Sequence, residues 1–142
     1  RVRPLILTPE VPQLTIPVGG SCRRMHILGQ VTLPDGFPVV GNDGETIANY
    51  TLEYSSGATH KIPLRNGYEI ARSNIIQSAS RIDPIAANAQ AALLFVKDIA
   101  REQYQILLYS IPVDGKRLAA IHCNLNGEQA PLAIFAITVE RS

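Results

Sequence analysis

Three histidines and two cysteines are the most reactive side chains in this sequence, and their spacing matches no common catalytic or metal-binding motif. His26, His60 and His122 occur singly, without the His-x-His or His-Glu-x-x-His spacing of zinc sites. Cys22 precedes His26 closely and Cys123 follows His122, so a cysteine nucleophile activated by a histidine is one hypothesis. We favour the simpler alternative, in which both histidines lie on the polar faces of their strands and point away from the cysteines.

The state of the two cysteines is left open by the sequence. Cys123 has the same alternating phase as Ile121 and Leu125, which predicts that it faces the core. A disulfide with Cys22 requires the two strands to be neighbours, whereas buried free thiols are common. Both alternatives stand at this point.

Carboxylates are present, but nothing in their spacing singles out a catalytic pair. Glycoside hydrolysis requires two carboxyl groups about 5–10 Å apart across a cleft, and no Gly-x-Ser-x-Gly elbow of a serine hydrolase occurs either. We therefore expect no enzyme activity. The carboxylates considered are Glu45, Glu53, Glu69, Asp83 and Glu102.

A site for a hard cation is a second hypothesis. Asp35, Asn42, Asp43 and Glu45 lie in a turn-rich segment, where backbone carbonyls and carboxylates together supply the oxygen ligands that calcium prefers. The spacing is not that of an EF-hand loop, and turn chemistry alone explains Asp and Asn at such positions. Asp43 and Glu45 are the candidate metal ligands.

The best candidate recognition patch follows the Asn66-Gly67 turn. Sugar binding requires an aromatic ring against the apolar face of a pyranose and planar polar groups for its hydroxyls. Tyr68, Glu69, Arg72 and Asn74 supply both kinds of group. In the alternative interpretation, Tyr68 packs on the domain while Glu69 and Arg72 pair at the surface.

Strand patterns dominate the chain and predict an all-β fold. Ile47–Arg65 alternates as a hairpin around Ser55-Ser56-Gly57, and further β segments separated by turns are typical of a sandwich or barrel. The polar segment Ala71–Pro84 is expected to be a long loop. The Ala-rich segment Ile85–Leu94 is expected to form at most a turn of helix, followed by a strand at Ala92–Val96.

Composition fits one globular domain of 142 residues, with 46% hydrophobic and 18% charged residues. The net charge of +1 predicts neither nucleic acid nor a membrane as partner. Residues 1–16 are interpreted as a lead-in or edge segment and residues 17–142 as a β-sandwich. Arg1–Pro12 is interrupted by prolines and does not match a signal peptide, so either an export signal was removed or, as we favour, the domain was excised from a longer protein.

Six segments of the chain form a recognisable pattern: Pro17-Val18-Gly19, Leu28-Gly29, Gly44–Tyr54, Ile62–Ile70, Leu118–Leu125 and Ala133–Val139. Together they resemble the galactose-binding-like jelly-roll domains appended to bacterial polysaccharide-degrading enzymes. The hairpin carries Ser56-Gly57 where that family usually has Asp-Gly, and the sequence contains no Trp.

This resemblance implies a secreted or periplasmic, non-catalytic module that binds polysaccharide or oligosaccharide beside a catalytic domain of the same polypeptide. It also implies a structural calcium, for which Asp43 and Glu45 are the candidates. The alternative is a structural or interaction domain that packs on a catalytic domain without binding sugar. That alternative predicts an exposed apolar patch of a few hundred Å².

Overall fold

The computed structural model describes residues 3–33, 44–75, 77–78, 81–82, 86–97, 102–127 and 131–141, and this part of the chain contains β-strands and no helix. It therefore includes no helix long and apolar enough to span a membrane. The strands are, in chain order, β1 (Leu5–Leu7), β2 (Gln13–Ser21), β3 (Arg24–Gly29), β4 (Val31–Thr32), β5 (Thr46–Tyr54), β6 (Thr59–Arg65), β7 (Ala71–Arg72), β8 (Asn74–Ile75), β9 (Gln77–Ser78), β10 (Arg81–Ile82), β11 (Gln90–Lys97), β12 (Glu102–Pro112), β13 (Arg117–Leu125), β14 (Leu132–Ile134) and β15 (Ala136–Glu140).

Three sheets and a small ribbon form an antiparallel β-sandwich, as predicted. Sheet I has the strand order β2-β13-β5-β6, and sheet II has the order β11-β12-β3-β15, with β8 also paired to β12. Sheet III has the order β1-β14-β4-β7, in which only the β4–β7 pair is parallel. Strands β9 and β10 pair as a two-stranded ribbon.

Alternation along the strands places one face of each large sheet in a shared core. In β5, Tyr50 and Leu52 are fully buried while Thr51 between them is half-buried. In β3 of sheet II, Met25 and Ile27 are buried and contribute to the same core from the opposite side. Residues of sheets I, II and III contribute to one hydrophobic cluster, which is what a two-layer sandwich requires.

A corner joins sheet II to sheet III, because β3 continues into β4 and β14 continues into β15. The chain turns at Gly29 and Gln30, which have φ angles of +114° and +39°. A Cβ at Gly29 would lie 2.8 Å from the backbone nitrogen of Phe135 and 3.0 Å from the carbonyl oxygen of Ala133. Glycine is therefore required both by the backbone angle and by the close approach of the neighbouring strand.

The predicted hairpin is confirmed as β5 and β6. One prediction is wrong, because the segment predicted as a loop contains the short strands β7 to β10. The strand predicted at Ala92–Val96 is confirmed and extends over Gln90–Lys97, where pairing with β12 outweighs the helix propensity of alanine. Of the turn-rich segment that carries the candidate cation ligands, Asp35, Asn42 and Asp43 lie outside the described residues.

The first 16 residues, separated above as a lead-in, contain β1 and the beginning of β2. Each of these strands lies at one end of the strand order of its sheet. Leu7 is buried in the main core, and Leu14 and Ile16 pack against it. This segment therefore contributes to the core.

Candidate functional site

Glu69 is the centre of the most highly connected polar cluster in the described structure. It lies in the turn between β6 and β7, and only 6% of it is exposed. Its Oε2 accepts hydrogen bonds from the backbone N–H and the Nε of Arg65, both at 3.0 Å, and its Oε1 accepts one from Arg65 Nη2 at 2.6 Å. Asn88 Nδ2 donates to Oε1 at 3.0 Å. Both carboxylate oxygens are thus engaged within the protein.

These contacts determine the protonation state of Glu69. Burial by itself raises the pKa of the carboxyl group, but the hydrogen bonds from Arg65 and Asn88 outweigh it and lower the pKa below its ordinary value. The same hydrogen bond with Glu69 raises the pKa of the Arg65 guanidinium. Glu69 is therefore an ionised clamp that fixes the turn.

Tyr68 and Arg65 form the exposed part of the same turn. The Arg65 guanidinium carbon lies 4.6 Å from the centroid of the Tyr68 ring, and Tyr68 is 41% exposed. Stacking on an aromatic face and a two-point pair with a carboxylate are both favourable uses of the planar guanidinium. Arg65 pairs with Glu69 through Nε and Nη2, and its third guanidinium nitrogen, Nη1, takes no part in that pair.

The turn is connected to the core and to a second loop by further hydrogen bonds. Tyr50, fully buried, donates its hydroxyl to Gln30 Oε1, and Gln30 Nε2 donates to the carbonyl of Glu69 at 3.4 Å. The backbone N–H of Asn88 donates to the carbonyl of Tyr68 at 2.7 Å. Tyr68 is therefore presented by a turn held from two sides, which reduces the entropy lost when a ligand binds.

The four residues predicted as a recognition patch are only partly brought together. Tyr68 and Glu69 share the turn, and Glu69 pairs with Arg65, whereas the alternative interpretation paired it with Arg72. Arg72 lies on β7 in sheet III, and Asn74 lies on β8 beside β12 of sheet II. Whether any of the four binds sugar stays a prediction.

Glu45 lies at the same end of the domain as Tyr68. Its carbonyl accepts a hydrogen bond from the N–H of Asn66 at 2.9 Å, and the neighbouring Gly44 donates to the carbonyl of Asn66 at 2.9 Å. Asp43, the other candidate calcium ligand, is outside the described residues. Within the described ranges no three His, Cys, Asp or Glu side chains gather as a metal site.

Arg65, Asn88 and Gln30 were missed by the sequence analysis. Arg65 ends a strand four residues before Glu69, and a tight turn brings such a pair together, so this spacing is a usable signal. Asn88 and Gln30 are distant in sequence from Glu69 and carry no local signal. Their roles depend on tertiary packing.

Each of two histidines joins a hydroxyl group to a carboxylate on the outer face of a sheet. His122 contacts Thr15 Oγ1 through Nδ1 at 2.9 Å and Glu53 Oε2 through Nε2 at 2.6 Å. His26 contacts Ser110 Oγ through Nδ1 at 2.7 Å and Glu140 Oε1 through Nε2 at 2.8 Å. The same three-strand arrangement thus occurs on sheet I and on sheet II.

Both cysteines are fully buried and free. Cys22 donates its backbone N–H to the carbonyl of Lys116, whereas Cys123 lies seven residues further along β13. Seven strand residues span about 23 Å, far beyond the ~7 Å limit for Cα atoms of a disulfide. Burial raises the pKa of the Cys123 thiol to about 12 and also raises that of Cys22. Neither cysteine therefore has the properties of an activated nucleophile.

No family model, no curated protein and no solved structure matches this chain. The assignment of a function therefore depends on the chemistry of the residues described above.

Proposed function

We propose that this chain is a non-catalytic, carbohydrate-binding accessory module of the galactose-binding-like jelly-roll type, and that the turn around Tyr68 contacts the sugar. The observation that carries the proposal is the Arg65–Tyr68 pair. The buried Glu69 carboxylate fixes the Arg65 guanidinium, and the guanidinium lies over the exposed Tyr68 ring. This combination supplies an apolar surface for sugar C–H groups and N–H donors for sugar hydroxyls.

The arrangement of the turn supports binding more than it supports catalysis. Both oxygens of Glu69 accept hydrogen bonds from protein donors, so this carboxylate is poorly placed to donate or accept a proton during a reaction. The Arg65 guanidinium occupies one face of the Tyr68 ring, which leaves the remaining exposed part of the ring for a ligand. Glu45 is a neighbour of this site, because its backbone carbonyl accepts a hydrogen bond from Asn66 of the same turn.

Affinity electrophoresis of the purified domain through gels that contain plant, algal or host polysaccharides tests the proposal. We expect at least one polysaccharide to retard migration, Tyr68→Ala to abolish the retardation, and Arg65→Ala to weaken it. Lys61→Ala is a matched control, because Lys61 is exposed on the same strand as Arg65. Retardation by no polysaccharide in the panel, or equal binding by Tyr68→Ala and the wild type, contradicts the proposal.

A second candidate function is a structural domain that packs on a catalytic domain without binding sugar. The observation that favours it is a group of exposed apolar side chains near the N-terminal edge strand, where Leu5 and Ile6 are each 44% exposed and Val11 is 59% exposed. The same electrophoresis distinguishes the two functions, since a purely structural domain is not retarded by any polysaccharide.

A further inference from the structure

Five basic residues meet at one end of the sandwich, where the chain passes from β2 to β3, from β12 to β13 and out of β15. The N–H of Cys22 donates to the carbonyl of Lys116 at 3.1 Å, and the N–H of Arg23 donates to the carbonyl of Glu140 at 2.8 Å. These hydrogen bonds bring together three segments that are distant in sequence. We name Arg23, Arg24, Lys116, Arg117 and Arg141 the basic end, and all five residues are exposed.

Carboxylates do not balance the charge of the basic end. The same three segments contain two acidic residues, Asp114 and Glu140, so five positive and two negative charges leave a net charge of +3. The whole chain carries +1, so everything outside these segments carries a net charge of −2. Glu140 is bonded to His26, and the nearby Glu53 is bonded to His122. None of the ion pairs in the described ranges includes a residue of the basic end.

Two of the five side chains are held in place without a carboxylate. Lys116 Nζ lies 5.4 Å from the centroid of the Tyr54 ring. The Arg141 guanidinium occupies the space that a side chain would take at Gly20, because a Cβ added there would lie 2.6 Å from Arg141 Nη1. Contact with a ring face and packing on a glycine position use the flat surfaces of these groups and not their N–H donors. The donors therefore stay available to a ligand.

The chemistry of the basic end indicates an anionic ligand with repeated charges. Guanidinium groups bind sulfate and carboxylate groups through two parallel N–H···O hydrogen bonds. The basic end extends over the ends of sheets I and II, and the sheets of a sandwich pack about 10 Å apart. Charges spread over this distance suit a polymer better than a single small anion.

Other polyanionic partners require features that this end of the domain does not have. Bases of single-stranded nucleic acid stack on exposed aromatic rings, but Tyr54, the ring beside Lys116, is only 8% exposed. Membrane-surface binding requires apolar side chains that enter the lipid. The large hydrophobic residues that are exposed in the described part of the chain all lie outside the three segments of the basic end.

We propose that the basic end binds an anionic polysaccharide, one that carries sulfate or carboxylate groups. This surface is separate from the turn around Tyr68. Tyr54, at the end of β5, lies beside the basic end, whereas Thr46, at the start of β5, is paired with Arg65 of that turn. The nine residues of β5 span about 30 Å. The proposal therefore does not depend on sugar binding at Tyr68.

Biolayer interferometry on immobilised dextran sulfate tests the proposal, with uncharged dextran as a reference of the same backbone and polygalacturonate as the carboxylate counterpart. We expect the wild type to bind at least one of the two charged polysaccharides in about 0.1 M NaCl and not to bind dextran. In about 1 M NaCl the Debye length falls from about 10 Å to about 3 Å, so the affinity should fall by about tenfold or more.

Variants locate the contact on the molecule. Arg117→Gln and Arg141→Gln should each weaken binding by about threefold, and together by about tenfold, as expected for exposed charge pairs. Substitution of exposed charges changes stability little, so these variants fold. Arg3→Gln is the matched control, because Arg3 is exposed and precedes β1 of sheet III. Arg3→Gln and Tyr68→Ala should both bind like the wild type.

Four results overturn the proposal. The first is a wild type that binds neither charged polysaccharide in about 0.1 M NaCl. The second is a folded double variant, Arg117→Gln with Arg141→Gln, that binds like the wild type. The third is an equal loss of binding in Arg3→Gln or in Tyr68→Ala, which places the contact elsewhere. The fourth is a double-stranded DNA oligonucleotide that binds more tightly than both charged polysaccharides, which identifies nucleic acid as the ligand.

Discussion

Replacing Glu69 by Gln tests whether the clamp holds the turn that presents Tyr68. Glutamine keeps the size of the side chain but loses the charge and one acceptor. The hydrogen bonds at stake come from the backbone and side chain of Arg65 and from Asn88. Hydrogen bonds to a charged group contribute about 1.5–3 kcal/mol each, but they are not additive here and the Arg65 side chain is 40% exposed. We therefore expect Glu69→Gln to lower the free energy of unfolding by about 2–3 kcal/mol at pH 7.

The pH dependence of this difference gives the sharper test. The pKa of Glu69 is lowered in the folded protein, so its contribution to stability is fully present above the pKa of the unfolded chain. That contribution is lost as the pH falls through the folded pKa. Urea denaturation of wild type and Glu69→Gln, measured between pH 7 and pH 3, should show the difference shrinking below about pH 4.3. A difference under about 0.5 kcal/mol at pH 7, or one that does not change with pH, would refute the clamp.

Three other predictions concern the corner, the core and the thiols. Gly29→Ala should lower the free energy of unfolding, measured by urea denaturation, by about 2–4 kcal/mol, because the added Cβ would lie 2.8 Å from the backbone nitrogen of Phe135. An unchanged free energy of unfolding would contradict the described corner. Tyr50→Phe should lower the free energy of unfolding in the same measurement by about 1–3 kcal/mol, since it leaves Oε1 of the buried Gln30 without its donor. An unchanged free energy would mean that the Tyr50–Gln30 hydrogen bond contributes nothing to stability. Cys123, with its pKa raised to about 12 by burial, should resist iodoacetamide at pH 7.5 until urea unfolds the chain; labelling of the native protein, located by mass spectrometry, would contradict its burial.

The fold was largely predictable because alternation and turn residues are local signals. Tyr50 and Leu52 alternate with Thr51 over a long strand, and this alternation predicted the hairpin that the structure contains. Short strands such as β7 and β8 could not be predicted, because two residues have no periodicity and their pairing with β4 and β12 depends on distant parts of the chain.

The candidate site was predictable only in its location. The Asn66-Gly67 turn and Tyr68 pointed to the turn that Glu69 and Arg65 fix in the structure. The alternative interpretation paired Glu69 with Arg72 instead of Arg65, because both arginines lie close to Glu69 in sequence and only the fold distinguishes them. Gln30 reaches the site through a left-handed backbone at the corner, and that conformation is unusual for glutamine.

The most direct test of sugar recognition at this turn is an NMR titration of the ¹⁵N-labelled domain with oligosaccharides. These are prepared from the polysaccharide that retards the domain in electrophoresis, or from every polysaccharide of the panel if none retards it. The account predicts saturable shifts of the amide signals of Tyr68, Glu69 and Asn88, and the loss of these shifts in Tyr68→Ala. Shifts confined to another part of the chain, or no shifts with any oligosaccharide, would contradict it.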